Sequence, residues 1–589
     1  MNDARSQSTA TVRNGGDIVS EVLRAQGVQH LFALCGGHIS PILVSAKRDG
    51  IRVVDVRDEA SAVFAADAVA RMTGVPGVAA VTAGPGLTNT LTAVENALLA
   101  NSPLIILGGA TATFLKGRGA LQDIDQMALM KPAVKEAFAV KRVRHLGPTL
   151  EKAFQVAQEG VPGPVFVEVP VDLLYSEDQV RDMVANELVG GDSMLGKALQ
   201  AYAAQHLFRV FFGKDAFRAG PRVAVDPMDP AKGQVAKAAE LVRKAERPVL
   251  VVGAQTVVRA EEAVAVADAI RALGIPVFLG GGARGLLGRK DPRQFRHKRG
   301  KALAKADLVI VCGFPFDFRM GYGWKINPDA HIVQVNRDRG VLWKNRIPSL
   351  AVHADAGRFL QALTRELGPV REGTWAPWFQ RLQESEDARD AEIVSLSEAG
   401  STYLNPLELC RRIEEVMDDD AVMVVDGGDF VATAAYITRP RGPLAWLDPG
   451  VYGTLGVGGG FAVGAAAAAP GREIWVFYGD GASAYSLAEL DTLARHGMAV
   501  IAVIGNDACW AQIARDQVVL LGDDVGTGLE RTDYHTVAKG YGAQGLLLKR
   551  RQDIKGVLDQ AKALAREGKP VLINAWIDRS EFRKGSISI

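Results

Sequence analysis

Cysteine is scarce: four residues in 589, at Cys35, Cys312, Cys410 and Cys509, lie far apart and without CxxC spacing. That excludes a disulfide framework and a structural zinc site, and it fits a reducing compartment. An excess of either charge is missing too. Lys and Arg number 68 against 67 Asp and Glu, a formal +1, so no global field points to nucleic acid or to a membrane surface. Long apolar runs are absent: the Ala-rich segment 461–469 is too short and too glycine-flanked to span a bilayer. The opening MNDARSQSTATVRNGG is polar and lacks the apolar core of a signal peptide. The expectation is a cytoplasmic protein without nucleic-acid or membrane partners.

What is present is the composition of a soluble enzyme, 48% hydrophobic and 23% charged, with length for three or four domains. Apolar strand-like runs at 28–34, 52–56, 78–82, 104–108 and 165–169 alternate with amphipathic helical patterns, which predicts a doubly wound α/β domain over 12–185. Periodicity fades over 186–235, a linker with one helix-like stretch at 195–212. A second α/β pattern occupies 236–370, a charged helical connector 371–403, and a third α/β domain 404–589.

The most informative stretch is 473–510. Two apolar runs, 474–478 and 499–504, enclose a helical pattern and end in Gly479-Asp480-Gly481 and Gly505-Asn506-Asp507. In a parallel sheet these two carboxyl ends lie side by side, where open α/β folds bind ligands. Glycines let backbone approach a diphosphate, and the amides of Gly481 and Ala482 at the next helix start favour its charge. Two carboxylates beside a diphosphate need a cation between them, and Mg²⁺ prefers oxygen ligands. The simpler reading is two acidic turns capping helices.

Other loops follow strand ends. Glu59 stands where the run 52–56 meets an Ala-rich helix; a carboxyl there is partly desolvated, which suits a proton shuttle, although it also complements the helix dipole. His38 lies in the Cys35-Gly-Gly-His38 loop, either orienting substrate or serving a structural hydrogen bond. Asp426-Gly-Gly-Asp429-Phe430 ends the run 422–425, and Gly453-Thr-Leu455-Gly-Val-Gly458 precedes an Ala-rich helix whose small residues allow close approach to a flat ring. Gly280–Gly285 fits GxGxxG: it either cradles a nucleotide, with Arg284 on a phosphate, or forms a tight turn. The basic segment 289–299 reads as a solvated face, the alternative being contact with nucleotide phosphates.

The GDG segment with its amide-and-acid pair 27 residues later (Asp480 to Asp507), the segment RDEASAVFAADAVARMTGVPGVAAVTAGPGLTN and GTLGVG together resemble thiamine-diphosphate (ThDP) enzymes across the whole chain. Within that family GRGALQDIDQM, GGARGLLGR, VVDGGDF and the terminal FRKGSIS are most similar to the acetolactate-synthase-like type of 2-hydroxyacyl-CoA lyase. The resemblance implies three doubly wound domains in the order pyrimidine-binding, central, diphosphate-binding. It implies ThDP, and Mg²⁺ held by Asp480, Asp507 and the main-chain oxygen of Cys509. Asp507 replaces the family's second Asn, making the site one charge more negative. The resemblance further implies that Glu59 bonds the coenzyme's aminopyrimidine, that Gln122 faces the reacting carbon, that the Gly453 carbonyl accepts from the pyrimidine amino group and that Leu455 wedges beneath the bent coenzyme. The implied reaction is cleavage of the C1–C2 bond of a 2-hydroxyacyl-CoA to formyl-CoA and an aldehyde, or its reverse with an aldehyde or ketone; the alternative is acetolactate-type carboligation of pyruvate or other 2-keto acids. ADP or FAD in the central domain and a homodimer or homotetramer are further implications.

Overall fold

Each strand-and-helix pattern becomes one wholly parallel sheet in the computed structural model, which describes residues 13–187 and 194–584. The first sheet contains β1 (His30–Ala33), β2 (Arg52–Asp55), β3 (Gly77–Val81), β4 (Leu104–Ala110), β5 (Glu136–Ala139) and β6 (Pro164–Pro170), in the order β2-β1-β3-β4-β6-β5. The central sheet joins β7 (Pro248–Val252), β8 (Val277–Leu279), β9 (Leu308–Cys312), β10 (His331–Asn336) and β11 (Leu350–His353), ordered β11-β10-β9-β7-β8. The third contains β12 (Val422–Val425), β13 (Trp446–Leu447), β14 (Ile474–Gly479), β15 (Ile501–Asn506), β16 (Gln544–Leu548) and β17 (Val571–Trp576), ordered β13-β12-β14-β15-β17-β16. Helices cover both faces of such sheets, so central strands are apolar without alternation; every residue of β3, β4 and β14 is buried.

Counted within their own domains, the first and third sheets have the same strand order. In each, the chain leaves the first strand for one edge and then crosses to the other side, so a topological switch point opens between β1 and β3 and again between β12 and β14. Loops at the carboxyl ends of such a pair diverge and leave a crevice. This local topology positions both halves of the site described below.

Equivalent helices of the two domains cross. Asp58 caps the helix Glu59–Thr73 by accepting from the Ala60 amide at 2.8 Å. It packs on the helix Val457–Ala468. Gly460 lies against Ser61 and Phe64, and Gly464 against the carbonyl of Ala65, places where a Cβ would overlap backbone. Gly460 and Gly464 therefore serve a helix–helix crossing. Phe461 inserts beside them, edge-on to Phe64 at 5.8 Å, a geometry worth about 0.5–1.5 kcal/mol beyond its buried area. One apolar core consequently runs from β1–β4 through both helices into β12, β14 and β15.

The linker helix Met194–Phe211 buries Leu207, Val210 and Phe211 against the first domain and leaves Phe208 exposed. Trp375 and Trp378, at the start of the connector helix Ala376–Ser397, are buried in the central core and donate their indole N–H to Ala245 (2.9 Å) and Pro248 (3.1 Å) carbonyls. No helix among the described residues is long and apolar enough to cross a membrane.

Candidate active site

Three strand ends converge at the third sheet's crevice. β12 runs into Asp426-Gly427-Gly428, β14 into Asp480, and β15 ends at Asn506 beside Asp507. The amide of Gly479 donates to the Gly427 carbonyl at 3.0 Å, stitching the first two loops together. Asp480 accepts from the amides of Gly481 (2.8 Å) and Cys509 (3.3 Å), and the Cys509 amide also donates to Asp507 at 3.1 Å. Both carboxylates are buried. Burial raises Asp480 above the usual carboxylate range. Burial, and then the charge of Asp480, push Asp507 up to about 7, with Arg579 opposing the shift.

Two buried acids that destabilise each other's charge are the donor set a hard cation would relieve. Among the described residues no group of three or more His, Cys, Asp and Glu side chains could hold a metal. Mg²⁺ takes one or two carboxylates and completes its shell with phosphate, backbone and water oxygens. The arrangement therefore fits a magnesium diphosphate. Asn506 turns inward instead, donating to Asn574 at 3.1 Å.

Asp429 and Phe430 open the helix Asp429–Ile437 beside this pair. Asp429 forms a buried ion pair with Arg515 at 2.6 Å, and the Phe430 ring occupies the space that a side chain at Gly505 would need. Asp426 proves as important as the residues singled out from sequence. Its two carboxylate oxygens accept from the amides of Gly456 (2.9 Å) and Gly458 (2.7 Å), so one buried side chain ties the β12 loop to the 453–458 segment. Burial outweighs those bonds and pushes Asp426 up to about 7. Leu455 reaches over Gly427, where any Cβ would collide with it, while Gly453 is exposed with φ +67°.

The first sheet's crevice holds the second group. His38, after β1, shares a 3.0 Å hydrogen bond between its Nδ1 and the Thr82 hydroxyl, after β3. Burial lowers its pKa, so the ring is neutral near pH 7. Glu59 is buried and accepts from the Asn89 amide nitrogen at 3.0 Å. Gln122, at φ +62°, lies over Gly84 in the same loop that carries Asn89. Gln126 supports that loop from below: it accepts from the Gly84 amide (2.9 Å) and donates to Gly109 (3.1 Å) and to Glu168 (3.3 Å), which Lys116 neutralises.

Glu59, His38 and Gln122 thus share one crevice, and Asp429, Phe430, Leu455, Gly479, Asp480, Gly481, Ala482 and Asp507 the other. Among the described residues no hydrogen bond joins Glu59 to Asp480 or Asp507. Of the two readings of the glycine loop, the structure shows Arg284 engaged within the protein: its guanidinium donates to the Ala435 carbonyl at 2.9 Å and lies 4.8 Å over the Trp446 ring. The basic segment 289–299 is not simply a solvated face either: His297 is buried, and Arg296 donates to three carbonyls. The final residues, 585–589, lie outside those described.

Models of three successive family domains match the chain: the thiamine pyrophosphate enzyme N-terminal TPP binding domain over 13–129, the central domain over 235–363 and the C-terminal TPP binding domain over 426–575. The chain is 48% identical to 2-hydroxyacyl-CoA lyase 2 of Danio rerio, covering 98% of this chain and 94% of the relative. It is 46% identical to 2-hydroxyacyl-CoA lyase 2 of Homo sapiens, over 98% and 92%. The acetolactate synthase large subunit of Mycobacterium tuberculosis is more distant, 31% identical over 97% of each chain.

Proposed function

The chain belongs to the thiamine-pyrophosphate-dependent enzymes, and from that premise we propose that it is a carbon–carbon lyase acting on 2-hydroxyacyl-CoA thioesters, releasing formyl-CoA and an aldehyde. The observation that carries this reading is the pairing of two buried carboxylates, Asp480 and Asp507, at adjacent strand ends with relatives at 46–48% identity that are 2-hydroxyacyl-CoA lyases. Bound between the crevices, the coenzyme would supply an electron sink for the C1–C2 bond. Asp480, Asp507 and the Cys509 carbonyl would hold Mg²⁺, with Gly479, Gly481 and Ala482 bringing backbone to the diphosphate. Leu455 and the Gly453 carbonyl would shape and orient the coenzyme's rings. Glu59, buried and oriented by Asn89, would hold the proton exchanged with the pyrimidine nitrogen. His38, neutral and with Nδ1 engaged by Thr82, would take the 2-hydroxyl proton on Nε2 as the bond breaks, while Gln122 orients the reacting carbonyl.

Because Glu59 and the metal pair sit in separate crevices, we further propose a homodimer, or a dimer of two such dimers, in which each site is shared between chains. Exposed apolar residues rim both crevices, Leu121 beside Gln122 (80% exposed) and Tyr452 beside Gly453 (41%). Co-expressed Glu59→Gln and Asp480→Asn chains then regain about a quarter of wild-type activity, since half the dimers are mixed and each mixed dimer has one intact site; no recovery would place each site within one chain. A cavity of about 360 Å³ between the three domains, lined by Gly281, Gly282, Arg319, Lys344 and Trp446, is proposed for the ADP part of CoA, ADP or FAD; calorimetric titration with each tests it. The unpaired cysteines support a cytoplasmic assignment.

The deciding assay supplies ThDP, Mg²⁺ and either a 2-hydroxyacyl-CoA or pyruvate. Formyl-CoA and aldehyde are expected. Acetoin after acid treatment, without formyl-CoA, would overturn the reading in favour of acetolactate formation.

A further inference from the structure

The helix Asp429–Ile437 begins in the diphosphate crevice and ends against the central domain. A helix leaves its last carbonyls without intrahelical partners, and they form the negative end of its dipole. Here two arginines from the central domain take them. Arg284 donates to Ala435 (2.9 Å); Arg296 donates to Tyr436 (2.7 Å), Ile437 (3.3 Å) and Thr438 (2.8 Å). The remaining carbonyl, Ala434, accepts from Thr438.

Both arginines are themselves held. Arg284 stacks on Trp446 of β13. The amides of Arg296 and His297 donate to Glu386 of the connector helix, at 3.1 and 2.9 Å, and the His297 ring packs against Tyr436, tilted by 32° with centroids 4.7 Å apart. Bringing two guanidiniums together in a confined space is unfavourable: burial and the neighbouring cations Arg439 and Arg284 pull Arg296 down to about 10. A position that disfavours the charge yet is occupied by two charges calls for a compensating role.

We propose that Arg284 and Arg296 are positioning residues for the coenzyme's diphosphate end: by clamping the carbonyl end of the helix Asp429–Ile437 they fix its amino end, and with it Asp429 and Phe430, beside Asp480 and Asp507. The central domain thereby sets coenzyme affinity without touching the coenzyme. This rests on the reading of that crevice as the diphosphate site.

The test uses the full-length protein freed of coenzyme, titrated with ThDP at saturating Mg²⁺ in a calorimeter, with circular dichroism and thermal unfolding alongside. The double variant Arg284→Gln/Arg296→Gln is expected to bind about tenfold more weakly, with kcat at saturating coenzyme within about twofold of wild type. Arg441→Gln is the control. Arg441 caps a different helix of the same domain, Pro406–Val416, by donating to the Glu414 (2.8 Å) and Met417 (3.3 Å) carbonyls. It is expected to lower the melting temperature while leaving ThDP affinity unchanged. Should the double variant not fold, Arg284→Lys and Arg296→Lys, which keep the charge but lose the planar fork, carry the same test with about threefold weaker binding expected. Unchanged affinity in folded Arg284 and Arg296 variants, or an equal loss in Arg441→Gln, would overturn the proposal. Wild-type protein that failed to bind ThDP would instead sink the site reading beneath it.

Discussion

Asp426→Asn sets two energies against each other. The wild-type carboxylate satisfies two buried amides, Gly456 and Gly458, one with each oxygen. Asn retains one acceptor and turns its NH₂ toward the other amide. Leaving a buried N–H unmet costs about 1–3 kcal/mol. The opposing term is ionisation. With a folded pKa raised to about 7, the folded protein keeps a proton that the unfolded chain loses near the ordinary carboxylate value. Wild-type stability from this group is therefore fully present at low pH and falls as pH rises through the window up to about 7. The slope is at most about 1.4 kcal/mol per pH unit, with a ceiling of about 4 kcal/mol. Asn carries no such slope. Near pH 4 the variant should be less stable by the lost bond; the gap closes as pH rises, and above pH 7 the ionisation term outweighs that bond and the variant should match or exceed wild type. Denaturant unfolding of coenzyme-free protein at pH 4, 5, 6, 7 and 8 measures the gap. ThDP affinity should fall at every pH, because the 453–458 segment loses an anchor. A gap in stability that does not change with pH would refute the assignment of a raised pKa to Asp426, and unchanged ThDP affinity would refute its role in holding that loop.

Glu59→Gln should preserve fold and coenzyme binding while slowing hydrogen–deuterium exchange at the coenzyme's thiazolium C2 by at least about a hundredfold, read by NMR after acid quench. Because Asp507 is pushed up to about 7, Mg²⁺ uptake at pH 7 should release about half a proton per ion, and apparent affinity should rise with pH up to that value and then level; calorimetry in buffers of different ionisation heat measures it. Gly464→Leu forces a side chain into the Ala65 carbonyl and should cost about 1–3 kcal/mol or more. The matched control, Gly556→Ala in the helix Ile554–Arg566 where the new Cβ meets nothing, should stabilise by up to about 1 kcal/mol; thermal unfolding compares the two.

Where chemistry and local pattern coincide, the sequence was readable. Parallel strands buried on both faces leave continuous apolar runs, and the acids closing β14 and β15 stand a fixed number of residues apart because one strand–helix–strand unit separates them. Nothing local marks Asp426 within its loop, since its partners, Gly456 and Gly458, lie some 30 residues further along the chain. Gln126 stands four residues after Gln122 in one polar stretch, and only the fold shows that it turns down onto Gly84 and Glu168. The glycine loop at 280–285 and the basic segment after it carried the local marks of a phosphate site. Their arginines instead meet a helix end some 140–150 residues further on, and a helix carboxyl terminus offers partial negative charge much as a phosphate does. Local pattern distinguishes the sign of the partner, not its identity.

The two outer domains share more than strand order. The first strand of each is followed by a glycine pair, in Cys35-Gly-Gly-His38 and Asp426-Gly-Gly-Asp429, and the helix after each second strand, Glu59–Thr73 and Val457–Ala468, is the one that meets its counterpart. Ser61 faces Gly460 and Ala65 faces Gly464, so positions one residue apart in helix count touch and both helix amino ends lie at the same end of the crossing. A pseudo-twofold of this kind cannot by itself make two different half-sites. What differentiates them is the chemistry placed on equivalent positions: a neutral imidazole and a helix-start carboxylate on one side, paired acids and close-approach glycines on the other. The crossing demands small residues, and Gly460 and Gly464 supply them on the diphosphate side, leaving the Glu59 helix free to carry Phe64 and a carboxylate at its start. Packing constraints and catalytic constraints thus fall on different members of each equivalent pair, which is how one strand order serves both halves of the site.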